Sequence, residues 1–209
     1  NNITQFITFS DNSSYVSGQG GQRQGSYYCS NSFSKTKFNA FKEEREADFL
    51  HAFQSLTQED IENVLGDMNQ LPLQTLPEFA TNMQPDTPCN SFLTSIYQKE
   101  RLFFMLRFGL AYVEEEGKDG QRQLQKHVMR YPQYFATRAI KDMISKGIKK
   151  GVIWHTQGSG KTALAYFNIR YLKNYFSKQR IIPKFYFVVD RLDLADQAYR
   201  EFAKRGLRV

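Results

Sequence analysis

Gly151-Val152-Ile153-Trp154-His155-Thr156-Gln157-Gly158-Ser159-Gly160-Lys161-Thr162 reads as a short buried strand, a glycine loop and the start of a helix. Gly158 and Gly160 let the backbone turn tightly and bring N–H groups against phosphate. Lys161 would set its ammonium on the β and γ phosphates of a nucleotide. The hydroxyl of Thr162 would complete the shell of a Mg²⁺ ion. The helix opening at Ala163-Leu164-Ala165 offers its positive end to the same anion. A strict phosphate-loop pattern has Gly where this chain has His155. The alternative is a plain turn, but an apolar run before the glycines and an amphipathic pattern after them are the context the motif requires.

Downstream, Pro183 breaks the chain and Phe185-Tyr186-Phe187-Val188-Val189 predicts a second apolar strand. Asp190-Arg191 ends it, and Leu194 to Tyr199 opens another helix. Strand, helix, strand, helix in about sixty residues predicts an α/β fold, a parallel sheet covered by helices. An apolar strand ending in Asp190 has the shape of a Mg²⁺-holding Walker B element. Arg191 follows, however, where a helicase-type ATPase would have Glu. The favoured reading is a strand-end loop that meets nucleic acid or the phosphate loop; a helix cap at Asp190 or Asp193 is the plain alternative.

Upstream, Arg130-Tyr131-Pro132-Gln133-Tyr134-Phe135 precedes a helix expected over Ala136 to Lys146, with Ala139, Ile140, Met143 and Ile144 on one face. A glutamine side chain can bond N6 and N7 of adenine together, so Gln133 is a candidate for selecting ATP. Tyr131 or Tyr134 could stack on the base. The alternative for Gln133 is a surface position at a helix start. Trp154 is expected in the core, and His155 to pack or cap. His51 and His127 are isolated, and no cluster resembles a zinc site. Glu116-Gly117-Lys118 has the spacing of a nuclease Glu-x-Lys but falls in a charged turn expected over Glu114 to Gly120.

The chain's beginning predicts less. Ile3 to Phe9 alternates as a strand, Asp11 to Ser14 turns, and Tyr15-Val16 could return. Gly18 to Gly25 is a Gly/Gln-rich loop, and Tyr27 to Cys29 and Phe33 to Phe38 are short strand candidates at the edge of a small sheet. Helical spacing starts near Ala40, with Glu43, Glu44 and Glu46 on a solvated face and Phe49, Phe53 and Leu56 following. Thr57 and Asp60 make a capping pattern for a helix with Ile61, Val64 and Leu65 on its apolar side. Pro72, Pro77, Pro85 and Pro88 exclude a long helix from Met68 to Cys89. Asn90-Ser91 caps a helix predicted from Phe92 to Leu110, with Phe92, Ile96, Phe103, Phe104, Leu106 and Phe108 as core.

The 209 residues suit one or two domains, and 41% hydrophobic content suffices for a core. No apolar run approaches the roughly 20 residues that span a membrane, so no membrane partner is expected. Cys29 and Cys89 have no metal-ligand spacing and fit a reduced, cytoplasmic setting. The formal net charge of +7 is compatible with a polyanionic partner. The chain starts at Asn1 without Met and reads as part of something longer.

These residues together resemble the restriction (motor) subunit of type I restriction-modification enzymes. The phosphate-loop stretch and Val188-Val189-Asp190-Arg191-Leu192-Asp193-Leu194-Ala195-Asp196-Gln197 carry the resemblance, which is specific over residues 127 to 203. Arg130 to Phe135 resembles that family's adenine-recognition segment, and Phe6 to Asn12 the late strand and turn of its nuclease domain. The resemblance implies an ATP-dependent site-specific deoxyribonuclease with two RecA-like motor domains of helicase superfamily two. Such an enzyme pulls double-stranded DNA past a complex with methyltransferase and specificity subunits. Thr156, Gln157, Gly158, Ser159, Gly160, Lys161 and Thr162 would be motif I, binding ATP and Mg²⁺, with Lys161 the catalytic cation and Thr162 the metal ligand. Asp190 to Gln197 would be motif Ia, with Asp190, Arg191 and Gln197 toward DNA.

The resemblance also divides the chain. Residues 1–40 would close a nuclease-like domain, 41–126 would be a mostly helical linker, and 127–209 would open the first motor domain as the start of a RecA-like parallel sheet. The nuclease acids are expected before Asn1, and the Asp-Glu-Ala-His box and second motor domain beyond Val209, so these residues alone are expected to be inactive. A repair or remodelling helicase without nuclease is a second reading, decided by the residues upstream. A small-molecule phosphotransferase is a third; it would want a lid and an acceptor pocket after the second strand. A scaffold role for residues 1–126, docking the motor onto partner subunits, is compatible with the first.

Overall fold

The computed structural model describes residues 4–10, 26–31, 36–43, 45, 50–116, 120–156 and 158–207. The expected turn, return strand and loop between Asp11 and Gly25, residues 33–35 of the strand expected from Phe33 to Phe38, and Glu44, Glu46 and Phe49 lie outside them. The fold is mixed α/β with small antiparallel sheets. Strands β1 (Ile7–Phe9) and β2 (Tyr27–Cys29) form one two-stranded sheet, and β3 (Leu110–Glu116) and β4 (Arg122–Val128) form another. The helices are α1 (Gln58–Asp67), α2 (Pro77–Asn82), α3 (Pro88–Ile96), α4 (Lys99–Phe108), α5 (Tyr131–Ser145), α6 (Lys161–Ser177) and α7 (Leu192–Ala203). No described helix is long and apolar enough to cross a membrane. The chain falls into two compact units, one of Thr8–Tyr28 with Asn39–Leu102, the other of Asn1–Ile7, Cys29–Phe38 and Phe103–Val209.

In the first of these units, α1 starts at the expected cap. Thr57 Oγ1 accepts from Asp60 N at 3.1 Å, and Asp60 Oδ2 accepts from Thr57 N at 3.0 Å. Only Leu65 of its apolar side is buried, while Val64 faces solvent. The prolines limit the next stretch to a 3₁₀ turn (Leu71–Thr75) and the six-residue α2, each with Pro in its first turn. The helix expected from Phe92 to Leu110 is instead two helices. Thr87 caps the first, accepting from Asn90 N at 3.3 Å, so Asn90 lies inside α3 rather than before it. Pro88 supplies the fixed φ that suits a first helical position. Tyr28, Phe41, Phe92 and Ile96 make the core. An ion pair is buried among them: the Arg101 guanidinium bonds the Glu43 carboxylate, donates to Ser95 O at 2.6 Å and lies 4.9 Å over the Phe41 ring.

In the second unit, β3 takes in Leu110, which the sequence predicts as a helix end, and Glu114 to Glu116, which it predicts as a charged turn. Gly109 is where helix gives way to strand. A Cβ there would meet Met105 O at 2.8 Å, so a bulkier residue would not fit the turn. Register runs from Leu110 opposite Val128 to Glu116 opposite Arg122. Glu116 is thus the last residue of a strand, and Gly117 and Lys118 lie outside the described residues. Phe104 packs edge-on against Tyr134 at 5.2 Å and Tyr171 at 4.8 Å, tying α4 to α5 and α6. Phe103 and Leu106, expected as core, face solvent. The buried side of α5 is Gln133, Tyr134 and Thr137, not the expected Ala139 and Met143, which are exposed.

The expected parallel sheet is not seen among the described residues. Residues 151–156 and 181–189 form no ladder, and the outward side of each run is bare: Trp154, expected in the core, is 91% exposed and Val188 89%. A parallel strand takes hydrogen bonds from both neighbours and cover from helices on both faces. No described strand lies against either run. The other side of the second run does meet protein, since Phe187 packs edge-on against Phe202 of α7 at 5.5 Å. What forms locally forms as read: α6 spans Lys161 to Ser177, and α7 begins two residues earlier than expected.

Candidate nucleotide site

Glycine geometry builds the loop. Gly158 and Gly160 hold φ of +74° and +81°, where a Cβ would clash with the backbone. Gly160 is the N-cap of α6, and its carbonyl accepts the helix's opening bond from Leu164 N at 2.9 Å. Thr156 O accepts from Ser159 N at 3.3 Å and from Lys161 Nζ at 3.2 Å, so the lysine folds back over the loop. Lys161 is exposed; Ser159 and Thr162 are half-buried. Gln157 lies outside the described residues.

Gln133 joins this loop from another helix. It is 3% exposed, which overturns the surface alternative. Its Oε1 accepts from Arg130 N at 2.9 Å, the return half of a capping box. Its Nε2 donates to Gly160 O at 3.0 Å. With an N–H donor on one side and a carbonyl on the other, only one orientation of the amide satisfies both. Neither bond had a clear signal in the sequence, since Arg130 stands where a capping box has Ser, Thr, Asp or Asn. Tyr134 is buried in the aromatic cluster of Phe104 and Tyr171, and Tyr131 is half-buried at the helix start.

The loop's chemistry fits an anion. Ser159 Oγ and His155 Nδ1 are buried without a hydrogen-bond partner among the described residues. Leaving such an atom unmade costs about 1–3 kcal/mol, so a group that supplies partners is favoured there. A Cβ built on Gly158 meets nothing within 4 Å, so the loop's crest is open. Asp190, Arg191 and Gln197 are all exposed. Asp190 caps nothing, because the N-cap of α7 is Arg191 and no side chain caps the helix. Arg191 instead holds Asp193 in a two-pronged ion pair at 3.0 and 2.7 Å. No group of three or more His, Cys, Asp or Glu side chains that could hold a metal occurs among the described residues.

Residues 126–208 match the family described as type III restriction enzyme, res subunit. A candidate type I restriction enzyme endonuclease subunit, MjaVIIP of Methanocaldococcus jannaschii, is 39% identical over 107 residues, covering 48% of this chain and 10% of that protein. The chain is similar to the endonuclease subunits of type I restriction enzymes. A Staphylococcus aureus endonuclease subunit of that kind, SauCOLORF180P, is 38% identical over 76 residues, covering 36% of this chain and 8% of its own length. One from Staphylococcus saprophyticus, SsaAORF53P, is 40% identical over 76 residues, with the same shares. The chain thus spans about a tenth of the length of these curated relatives. No solved structure matches it. The resemblance read from the phosphate loop and the Asp190 segment is the one these relatives bear.

Proposed function

We propose that this chain carries the nucleotide loop of the DNA-translocating endonuclease subunit of a type I restriction system, working in the cytoplasm with methyltransferase and specificity subunits. The observation that supports the proposal is the hydrogen bond from Gln133 Nε2 to Gly160 O; in this reading Gln133 selects adenine and the loop holds phosphate. In this reading, bound ATP with Mg²⁺ supplies the phosphoanhydride whose hydrolysis drives movement on double-stranded DNA. The N–H groups of Gly158 to Lys161 would hold the phosphates. Lys161 would leave Thr156 O to neutralise them, and the Thr162 hydroxyl would face the metal. Gln133 has one N–H and one lone pair left beyond its two internal bonds, enough for adenine N7 and N6. Asp190, Arg191 and Gln197 would face DNA. The two bare apolar runs would take their places in a RecA-like parallel sheet of superfamily two.

The 209 residues contain no Asp-Glu-x-His box, so a protein of these residues alone is expected to hold nucleotide without hydrolysing it or cutting DNA. Mg²⁺-dependent ATP turnover by the pure piece would contradict that. In the intact subunit, Lys161→Ala should abolish ATP-dependent translocation and leave complex assembly intact. Unchanged translocation would overturn the role given to the loop.

A further inference from the structure

Between Asp142 and Asp190 the chain runs 47 residues without a carboxylate and carries nine lysines and arginines. Their placement is not even. The N-terminal ends of α5 and α6 meet at the Gln133–Gly160 bond, and the two helices pack against each other. The two helices therefore run side by side in one direction, and Lys146 and Lys178 close them at the same end. Lys149 and Lys150 follow the first, Arg180 and Lys184 the second, and all six are exposed. None makes an ion pair with a described residue. One helix length separates this cluster from the phosphate loop, about 25 Å for the span of α6.

Helix ends favour nearby cations, which accounts for Lys146 and Lys178. That effect fades within the last turn and leaves Lys149, Lys150 and Lys184 unexplained. Arg180 is harder to account for structurally. It holds φ of +61° at the turn that closes α6, where Ile181 N bonds Phe176 O at 3.0 Å. The equivalent turns after α5 and α7 have Gly147 and Gly206. A side chain there strains the backbone, so a bulky cation at this position points to a use for its charge.

We infer that Lys146, Lys149, Lys150, Lys178, Arg180 and Lys184 form a second surface for the phosphate backbone of duplex DNA, at the end of the motor unit opposite the nucleotide loop. It rests on the reading that the intact subunit works on DNA, and it is separate from Asp190, Arg191 and Gln197. Exposed ammonium and guanidinium groups without carboxylates bind phosphates by releasing counterions, with no demand on base sequence.

The test uses the full-length subunit and a duplex of arbitrary sequence, followed by fluorescence anisotropy across a salt series. Replacing Lys149, Lys150, Lys178 and Arg180 by Gln together should lower the slope of log K against log salt by about 3–4, at roughly 0.9 per lost contact. ATP affinity should not change. Arg180→Gly alone should raise the Tm and still lower the slope by about 0.9. An unchanged slope in the fourfold variant, or a loss that comes with a lower Tm and weaker ATP binding, would overturn the inference. So would intact duplex binding with lost binding to polyglutamate, which would mark the surface as a dock for an acidic protein. If the unaltered subunit bound no duplex at low salt, the functional reading would fall with it.

Discussion

Gln133 Nε2 donates to Gly160 O at 3.0 Å, so the first turn of α5 holds the last carbonyl before α6. The same oxygen starts the hydrogen-bond ladder of α6 through Leu164 N. One amide therefore fixes both the phosphate loop's exit and its own helix start. Gln133→Ala would leave the part-buried Arg130 N–H without its acceptor and remove packing, at about 1–2 kcal/mol of stability. Gln133→Glu keeps the acceptor for Arg130 N but sets carboxylate oxygen against the Gly160 carbonyl, and it cannot donate to adenine N7. The Glu variant is expected to lose ATP affinity more than tenfold, and the Ala variant to lose its preference for ATP over GTP. Calorimetric titration with both nucleotides checks this; an Ala variant with undiminished ATP preference would remove the base-reading role.

The two loop glycines differ in what surrounds them, though both hold positive φ. A Cβ on Gly158 would meet open space, whereas one on Gly160 would sit 2.7 Å from Gln133 Nε2. Gly158→Ala therefore carries backbone strain alone, about 1–2 kcal/mol. Gly160→Ala carries the same strain and must also displace the amide. The expected order of thermal stability is unaltered protein, then Gly158→Ala, then Gly160→Ala. In a Gln133→Ala background the gap between the two glycine variants should shrink. Equal melting temperatures for the two single variants would mean that the amide yields freely.

The local steps were legible because short-range rules govern them: the Thr57–Asp60 cap, the proline limits on the connector, the loop glycines and the start of α6. Three things escaped. The β3 strand is hard to read because Glu114, Glu115 and Glu116 mask an alternation in which Ala111 and Val113 face in and Tyr112 faces out. The break between α3 and α4 has no Gly or Pro to announce it. The apolar runs at 151–155 and 185–189 read as buried strands because their composition is that of a sheet interior, and a sheet interior needs neighbours that composition cannot supply. For the site, residue types gave the loop and Gln133 separately, while the bond joining them belongs to the packing of α5 on α6.

In the unit that holds α1 to α3, Arg101 and Glu43 have side chains only 8% and 6% exposed. A buried pair contributes little net stability, because burying both charges offsets their attraction. Breaking it is another matter. Arg101→Met or Glu43→Gln alone strands one buried charge and is expected to cost about 3–5 kcal/mol. The double variant restores neutrality and should recover most of the loss. Urea unfolding of the four proteins gives the coupling directly, and a double variant as unstable as the sum of the singles would show that the pair does not act as a pair.

His127 gives the other unit a pH dependence. Burial pushes its pKa below the ordinary value, and the cations Arg205 and Lys37 push the same way, against the pull of Glu115 and Glu201. Its ring nitrogen Nε2 lies 3.2 Å from Glu115 Oε1. Burial pushes the Glu201 carboxyl up, but the Arg205 hydrogen bond and charge, with Lys204 and His127, outweigh that and hold it low. Because the folded His127 resists protonation, the unfolded chain binds the extra proton first. Stability is then full above the unfolded value of about 6.5 and falls as pH drops from there through the lowered folded pKa. His127→Gln should flatten the melting temperature across that window, above the range where carboxylates titrate. Glu115→Gln removes the nearest anion, lowers the folded pKa further and should carry the decline to more acidic pH. Parallel slopes for all three proteins between pH 8 and pH 5.5 would show that His127 is not the group responsible.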